Sequence, residues 1–145
     1  MKLDGTHKFK ASGQQVFYAI LNPAILKQCI PGCDSIEYLD ASRLQANITT
    51  ALPGLKGPYA AVIRIAQQQA PSMLVLEVQR KGRGGAINAV SQINIADEPD
   101  GALLHYSASA ELEGLIAKIV NNPLGENFTK KSLGTFFKNL DQAIV

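Results

Sequence analysis

Most of the reactive chemistry in this 145-residue sequence is carried by two cysteines, two histidines and four tyrosines. Cys29 and Cys33 flank Ile30-Pro31-Gly32. Paired thiolates suggest half a metal site or a redox pair. Zinc, however, needs further ligands that the neighbouring sequence does not supply, and the spacing is one residue wider than the redox Cys-x-x-Cys motif. His7 and His105 stand singly, far along the chain from both cysteines and from each other. The cysteines therefore read as two reduced thiols packed beside a turn in a reducing compartment. No cofactor and no metal is expected.

Acid–base catalysis needs a carboxylate pair or a Ser/His/Asp arrangement, and neither stands out. Phosphate binding needs a glycine-rich loop running into a helix. Arg80-Lys81-Gly82-Arg83-Gly84-Gly85 has the cations and glycines, but it separates two strand-like segments and offers no helix N-terminus. It reads as a solvated basic hairpin tip, free to touch an acidic partner. No residue is assigned a catalytic role.

The composition limits what kind of molecule holds these groups. With 46% hydrophobic and 18% charged residues, the chain resembles one globular domain over residues 1–145. Fourteen Lys and Arg against twelve Asp and Glu leave a net charge of +2, too weak a field to point to nucleic acid. Apolar runs reach only about six residues, far short of the ~20 that span a bilayer, so no transmembrane anchor is expected. The N-terminus has no apolar signal core. These features predict a cytoplasmic protein. The apolar fraction itself is unusual: there is no Trp and there are only five Phe, so Ala, Ile, Leu and Val supply most of it.

Periodicity supplies the elements. Residues 2–9 alternate, with Leu3, Gly5, His7 and Phe9 on one face, as in a half-buried strand. Ser12 with Gln15 forms a capping box for a helix carrying Val16, Phe17, Ile20 and Leu21. Asn22-Pro23 opens a second short helix, which Pro31-Gly32 stops. Period-two patterning then predicts six antiparallel strands near 34–40, 43–52, 57–68, 72–81, 86–97 and 102–113, joined by short turns. Helical period returns after Gly114, breaks at Asn121-Asn122-Pro123 in what reads as a hinge or portal, and resumes with Leu133, Phe136, Phe137, Leu140 and Ile144 on one stripe. The order predicts an α+β helix-grip fold. A seven-stranded antiparallel sheet wraps a long C-terminal helix, with two short helices between the first and second strands.

Placing the aliphatic residues inward puts Tyr59, Ala61, Ile63 and Ile65 on one strand. Ala89, Ser91, Ile93 and Ile95 follow on another, and Leu104, Tyr106, Ala108, Ala110 and Leu112 on the last. Many of these are small, and they gather near Tyr59 and Tyr106. Either the helix lies close to the sheet or a cavity remains between them. The cavity reading makes Tyr59, Ala61, Ile63, Ala89, Ser91, Tyr106, Ala108, Leu133, Phe136 and Phe137 the ligand-binding candidates, with His7 as a further polar neighbour.

The opening Met1-Lys2-Leu3-Asp4-Gly5-Thr6-His7-Lys8-Phe9, Leu21-Asn22-Pro23 followed by Cys29-Ile30-Pro31-Gly32-Cys33, and Leu55-Lys56-Gly57-Pro58-Tyr59 together resemble the family of the carbon monoxide dehydrogenase G subunit. That family lies within the SRPBCC or START-like superfamily. The resemblance implies the same seven-stranded grip around a hydrophobic cavity. It also implies an accessory role beside molybdenum hydroxylases of the carbon monoxide dehydrogenase type, through membrane recruitment, maturation or handling of a lipid or quinone-like molecule. The implied partners are a hydrophobic ligand and dehydrogenase subunits, at a site peripheral to the inner membrane face. Many members continue into a hydrophobic membrane anchor, whereas this sequence ends at Val145, so stable tethering is not expected of it. The alternatives are a polyketide cyclase or hydratase-like enzyme using Tyr59, Tyr106 or His7, and an assembly factor acting through its surface.

Overall fold

A computed structural model describes residues 1–49, 59–82, 85–121 and 123–144. Strand β1 (Lys2–Phe9) leads into α1 (Gly13–Ile20) and α2 (Pro23–Cys29). Six strands follow: β2 (Cys33–Asp40), β3 (Arg43–Ile48), β4 (Tyr59–Gln69), β5 (Met73–Gly82), β6 (Gly85–Glu98) and β7 (Gly101–Glu113). The chain then forms α3 (Leu115–Val120) and α4 (Pro123–Ile144). All seven strands form one antiparallel sheet in the order β1-β7-β6-β5-β4-β3-β2, so the first strand pairs with the last and the remainder is a meander.

The local signals act as their chemistry requires. Ser12 Oγ accepts from Gln15 N at 3.2 Å, and Gln15 Oε1 accepts from Ser12 N at 2.9 Å, satisfying two otherwise orphaned donors at the start of α1. Asn22 Oδ1 accepts from Ala24 N at 3.0 Å, and Pro23 fills the first turn of α2. At the far end of α1 the Tyr38 hydroxyl donates to the Leu21 carbonyl at 2.6 Å, fastening the helix pair to β2. The Ile30-Pro31-Gly32-Cys33 turn depends on its glycine: Gly32 has φ +76°, and a Cβ there would collide with the Thr49 carbonyl.

Strand β3 ends at Ile48, earlier than the 43–52 expected, and the following turn and the Lys56-Gly57-Pro58 loop lie outside the described residues. The core joins α1, α2 and the end of α4 to the sheet through Phe9, Val16, Phe17, Leu26, Leu44, Leu74, Leu104, Phe137 and Leu140, all buried. Two polar ties hold α4 in place. Asp141 Oδ1 accepts from Lys10 N at 3.1 Å, and Asn139 Nδ2 donates to the Cys29 carbonyl at 3.4 Å. Cys29 is buried, and burial pushes its thiol pKa up. Both cysteines are free thiols.

Candidate functional site

Cross-strand pairing arranges the inward residues in rows across the sheet. Gly5, Tyr106, Ile93 and Leu74 make one row, and Leu3, Ala108, Ser91 and Leu76 the next. Ala110, Ala89, Val78 and Ile63 follow, then Leu112, Ile87, Arg80 and Ala61. On β6 and β7 the two middle rows hold only small side chains, Ser91 opposite Ala108 and Ala89 opposite Ala110. Taller residues bound this block on both sides. The span from Tyr106 to Leu112 along β7 is about 20 Å at the usual rise of a strand.

Helix α4 lies over this low floor and does not descend to fill it. Leu133, Phe136 and Phe137 occupy one face of the helix, with Thr129 and Ser132 beside them; Ile20, Leu21, Leu26 and Ile30 close the side nearest α1 and α2. A pocket of about 460 Å³ remains, within the range of small-molecule sites. Among the described residues its wall contains no side-chain carboxylate, ammonium, guanidinium, imidazole or thiol; the N-terminal ammonium of Met1 donates to the Ala110 carbonyl at 2.8 Å. The polar side chains of the wall are the hydroxyls of Ser91, Tyr106, Thr129 and Ser132. At one end the rings of Tyr106 and Phe136 each stand 5.4 Å from that of Phe137.

Of the ten candidates from the sequence, Ile63, Ala89, Ser91, Tyr106, Ala108, Leu133, Phe136 and Phe137 line this pocket. Tyr59 and Ala61 do not. Tyr59 packs against Ile116, and the Arg80 guanidinium carbon stands 4.0 Å over its ring. Ala61 is buried between Ala46 and Arg80 in the row beyond the floor. Tyr59 and Tyr106 thus mark opposite ends of the small-residue block and do not share one end.

Arg80 requires a correction. Expected on a solvated hairpin tip, it is only 6% exposed, on the inward face of β5, and its Nη1 donates to the Gly85 carbonyl at 2.7 Å. Alternation carried on from Leu74, Leu76 and Val78 puts Arg80 on that face, a signal hidden by its residue type. His7 also stands outside the wall, its ring 4.8 Å from Phe9 and 5.5 Å from Phe137. Burial lowers its pKa, against an opposing pull from the Asp141 charge. His105 lies on the outer face, 3.1 Å from Asp4 Oδ1.

Thr129 and Ser132 were missed because they are polar on an otherwise apolar stripe. Their positions four residues before Leu133 and Phe136 were the available signal. Met1 and Leu3, which line the side nearest β1, were missed as lining residues because only the pairing of β1 with β7 brings them there.

A seven-stranded antiparallel sheet closed over a long C-terminal helix, with two short helices after the first strand, is a helix-grip fold of the SRPBCC or Bet v 1-like kind. A conserved protein from Geobacillus kaustophilus superposes with a TM-score of 0.91 at 29% identity, covering 99% of this chain and 95% of that one. Protein CV1439 from Chromobacterium violaceum is similar at TM-score 0.76 and 17% identity, covering 99% and 96%. Ara h 8.0201, a Bet v 1 homologue, shares the fold at TM-score 0.72 and 11% identity, covering 99% and 97%. No curated protein matches the chain. Residues 5–145 match the CoxG family, that of the carbon monoxide dehydrogenase G subunit, and the chain belongs to that family.

Proposed function

We propose that this protein binds and carries a hydrophobic small molecule, a lipid or a quinone-like compound, in the pocket beneath α4. In this reading it serves as an accessory to a molybdenum hydroxylase of the carbon monoxide dehydrogenase type. The observation that carries the proposal is the floor: four directly opposed small side chains in a sheet whose neighbouring rows are large, with the helix held clear of them. Apolar atoms lining such a space lose packing partners, and an apolar ligand supplies them. The family membership supports the dehydrogenase association. Cytoplasmic placement beside the inner membrane face is part of the same proposal; among the described residues no helix is long and apolar enough to cross a membrane.

Native mass spectrometry of freshly purified protein tests this. A bound mass that disappears on denaturation, and from the pocket-filling variant Ala108→Phe, is expected. An empty protein that also fails to bind added lipids and quinones overturns it. Capture of dehydrogenase subunits undiminished in that variant would favour a surface-acting assembly role over carriage. Turnover of a polyketide-like substrate that is lost in Tyr106→Phe would favour the enzymatic reading.

A further inference from the structure

We propose that the pocket selects an uncharged lipophile, one whose polar group is an ester, ketone or hydroxyl, and rejects the corresponding carboxylate. The inference rests on the pocket being the ligand site and concerns which ligands it accepts. The surface of the pocket is almost wholly apolar, and the polar side chains in its wall are hydroxyls, among them Ser91 on the sheet and Ser132 on α4. A hydroxyl donates or accepts, so it can satisfy a carbonyl or an alcohol. It does not supply the opposite charge needed to offset the desolvation of an anion.

Among the described residues, the basic side chains of Arg80 and His7 lie on this face of the sheet but outside the wall, and the Met1 ammonium is held on the Ala110 carbonyl at 2.8 Å. Arg80 occupies the row next to the floor, yet its guanidinium is directed to the Gly85 carbonyl and the Tyr59 ring and is not part of the wall. His7 stacks behind Phe137 and is likewise absent from the wall. Burial favours its neutral form. Among the described side chains of the wall, a carboxylate drawn into the pocket would thus meet aliphatic and aromatic carbon and a few neutral dipoles.

Retinol, methyl retinoate and retinoate test this as probes, because they share one apolar body and differ at the head. Each is titrated into the full chain at a single pH near 8. Retinol and the ester are expected to bind at least tenfold more tightly than retinoate, about 1.4 kcal/mol or more. Because the ester is larger than the acid, tight ester binding separates charge from size. A difference below tenfold overturns the proposal while leaving pocket binding intact. Failure of all three, together with failure of the neutral dye Nile red, overturns the pocket as a ligand site and this inference with it. Ser132→Lys places a cation on the half-buried roof and should raise retinoate affinity at least tenfold over the unaltered chain; no gain in a folded variant counts against the charge argument.

Discussion

The hydroxyl end of Tyr106 occupies the space that a side chain on Gly5 would need. The two residues are directly opposed on β7 and β1, and a Cβ at Gly5 would stand 2.6 Å from the Tyr106 Oη and 2.9 Å from its Cζ. The bare backbone of β1 therefore seats the ring that forms one end of the pocket. Gly5→Ala should displace the ring and cost about 1–3 kcal/mol, as overpacking does. Urea denaturation measures the loss. In a Tyr106→Ala background the same substitution should cost much less, and equal costs in both backgrounds would show that the two residues are not coupled.

Filling the floor should separate stability from binding. Ala108→Leu adds apolar volume into open space rather than into packed core. Its melting temperature is expected to hold or rise while affinity for any pocket ligand falls at least tenfold. A fall of several degrees without added ligand would mean that the floor is already in contact with the helix.

Arg80 should be worth far more than a surface cation. Arg80→Ala removes a charged hydrogen bond to the Gly85 carbonyl and the cation over the Tyr59 ring, with an expected loss of about 2–4 kcal/mol. Arg80→Lys should recover only part of it, since an ammonium lacks the planar fork that bonds and stacks at once. Tyr59→Phe keeps the ring face and should be nearly neutral. These differences can be read from denaturation midpoints.

The His7 ring, lodged between Phe9 and Phe137, should make the fold sensitive to acid. Burial lowers its folded-state pKa below the unfolded value near 6.5, so the unfolded chain binds the proton more readily. Its contribution is flat above about pH 7, and stability is lost as pH falls through 6.5 towards the folded pKa. The stability difference between the natural chain and His7→Gln, followed from pH 7.5 to 4.5, should shift in favour of the glutamine variant below pH 6.5. A pH-independent difference would contradict this.

Much of this architecture was legible in the sequence because it rests on local rules. Ser12 with Gln15, Asn22 before Pro23, and the alternating strands each state their own structure within a few residues. The floor was legible for the same reason: alternation fixes the face of Ala89, Ser91, Ala108 and Ala110. What alternation does not fix is the position of one strand along another. The pairing of β4 with β5 shifts between Ile65 and Gln67, and only that register shows Tyr59 and Ala61 to lie beyond the pocket. Arg80 was misplaced for a different reason. A guanidinium inside a sheet is tolerable only when specific partners await it, and those partners, a carbonyl on the next strand and a ring across β4, belong to tertiary structure.

The pairing of β1 with β7 also sets the order in which the pocket can come into being. Its floor is a hairpin, made from neighbours in sequence and quick to close. Its flank and roof are remote: Met1 bonds to Ala110 across 109 residues, and Lys10 to Asp141 across 131. Closing such loops is the slow, entropically costly part of folding. The apolar pocket therefore depends on both ends of the polypeptide having found their places.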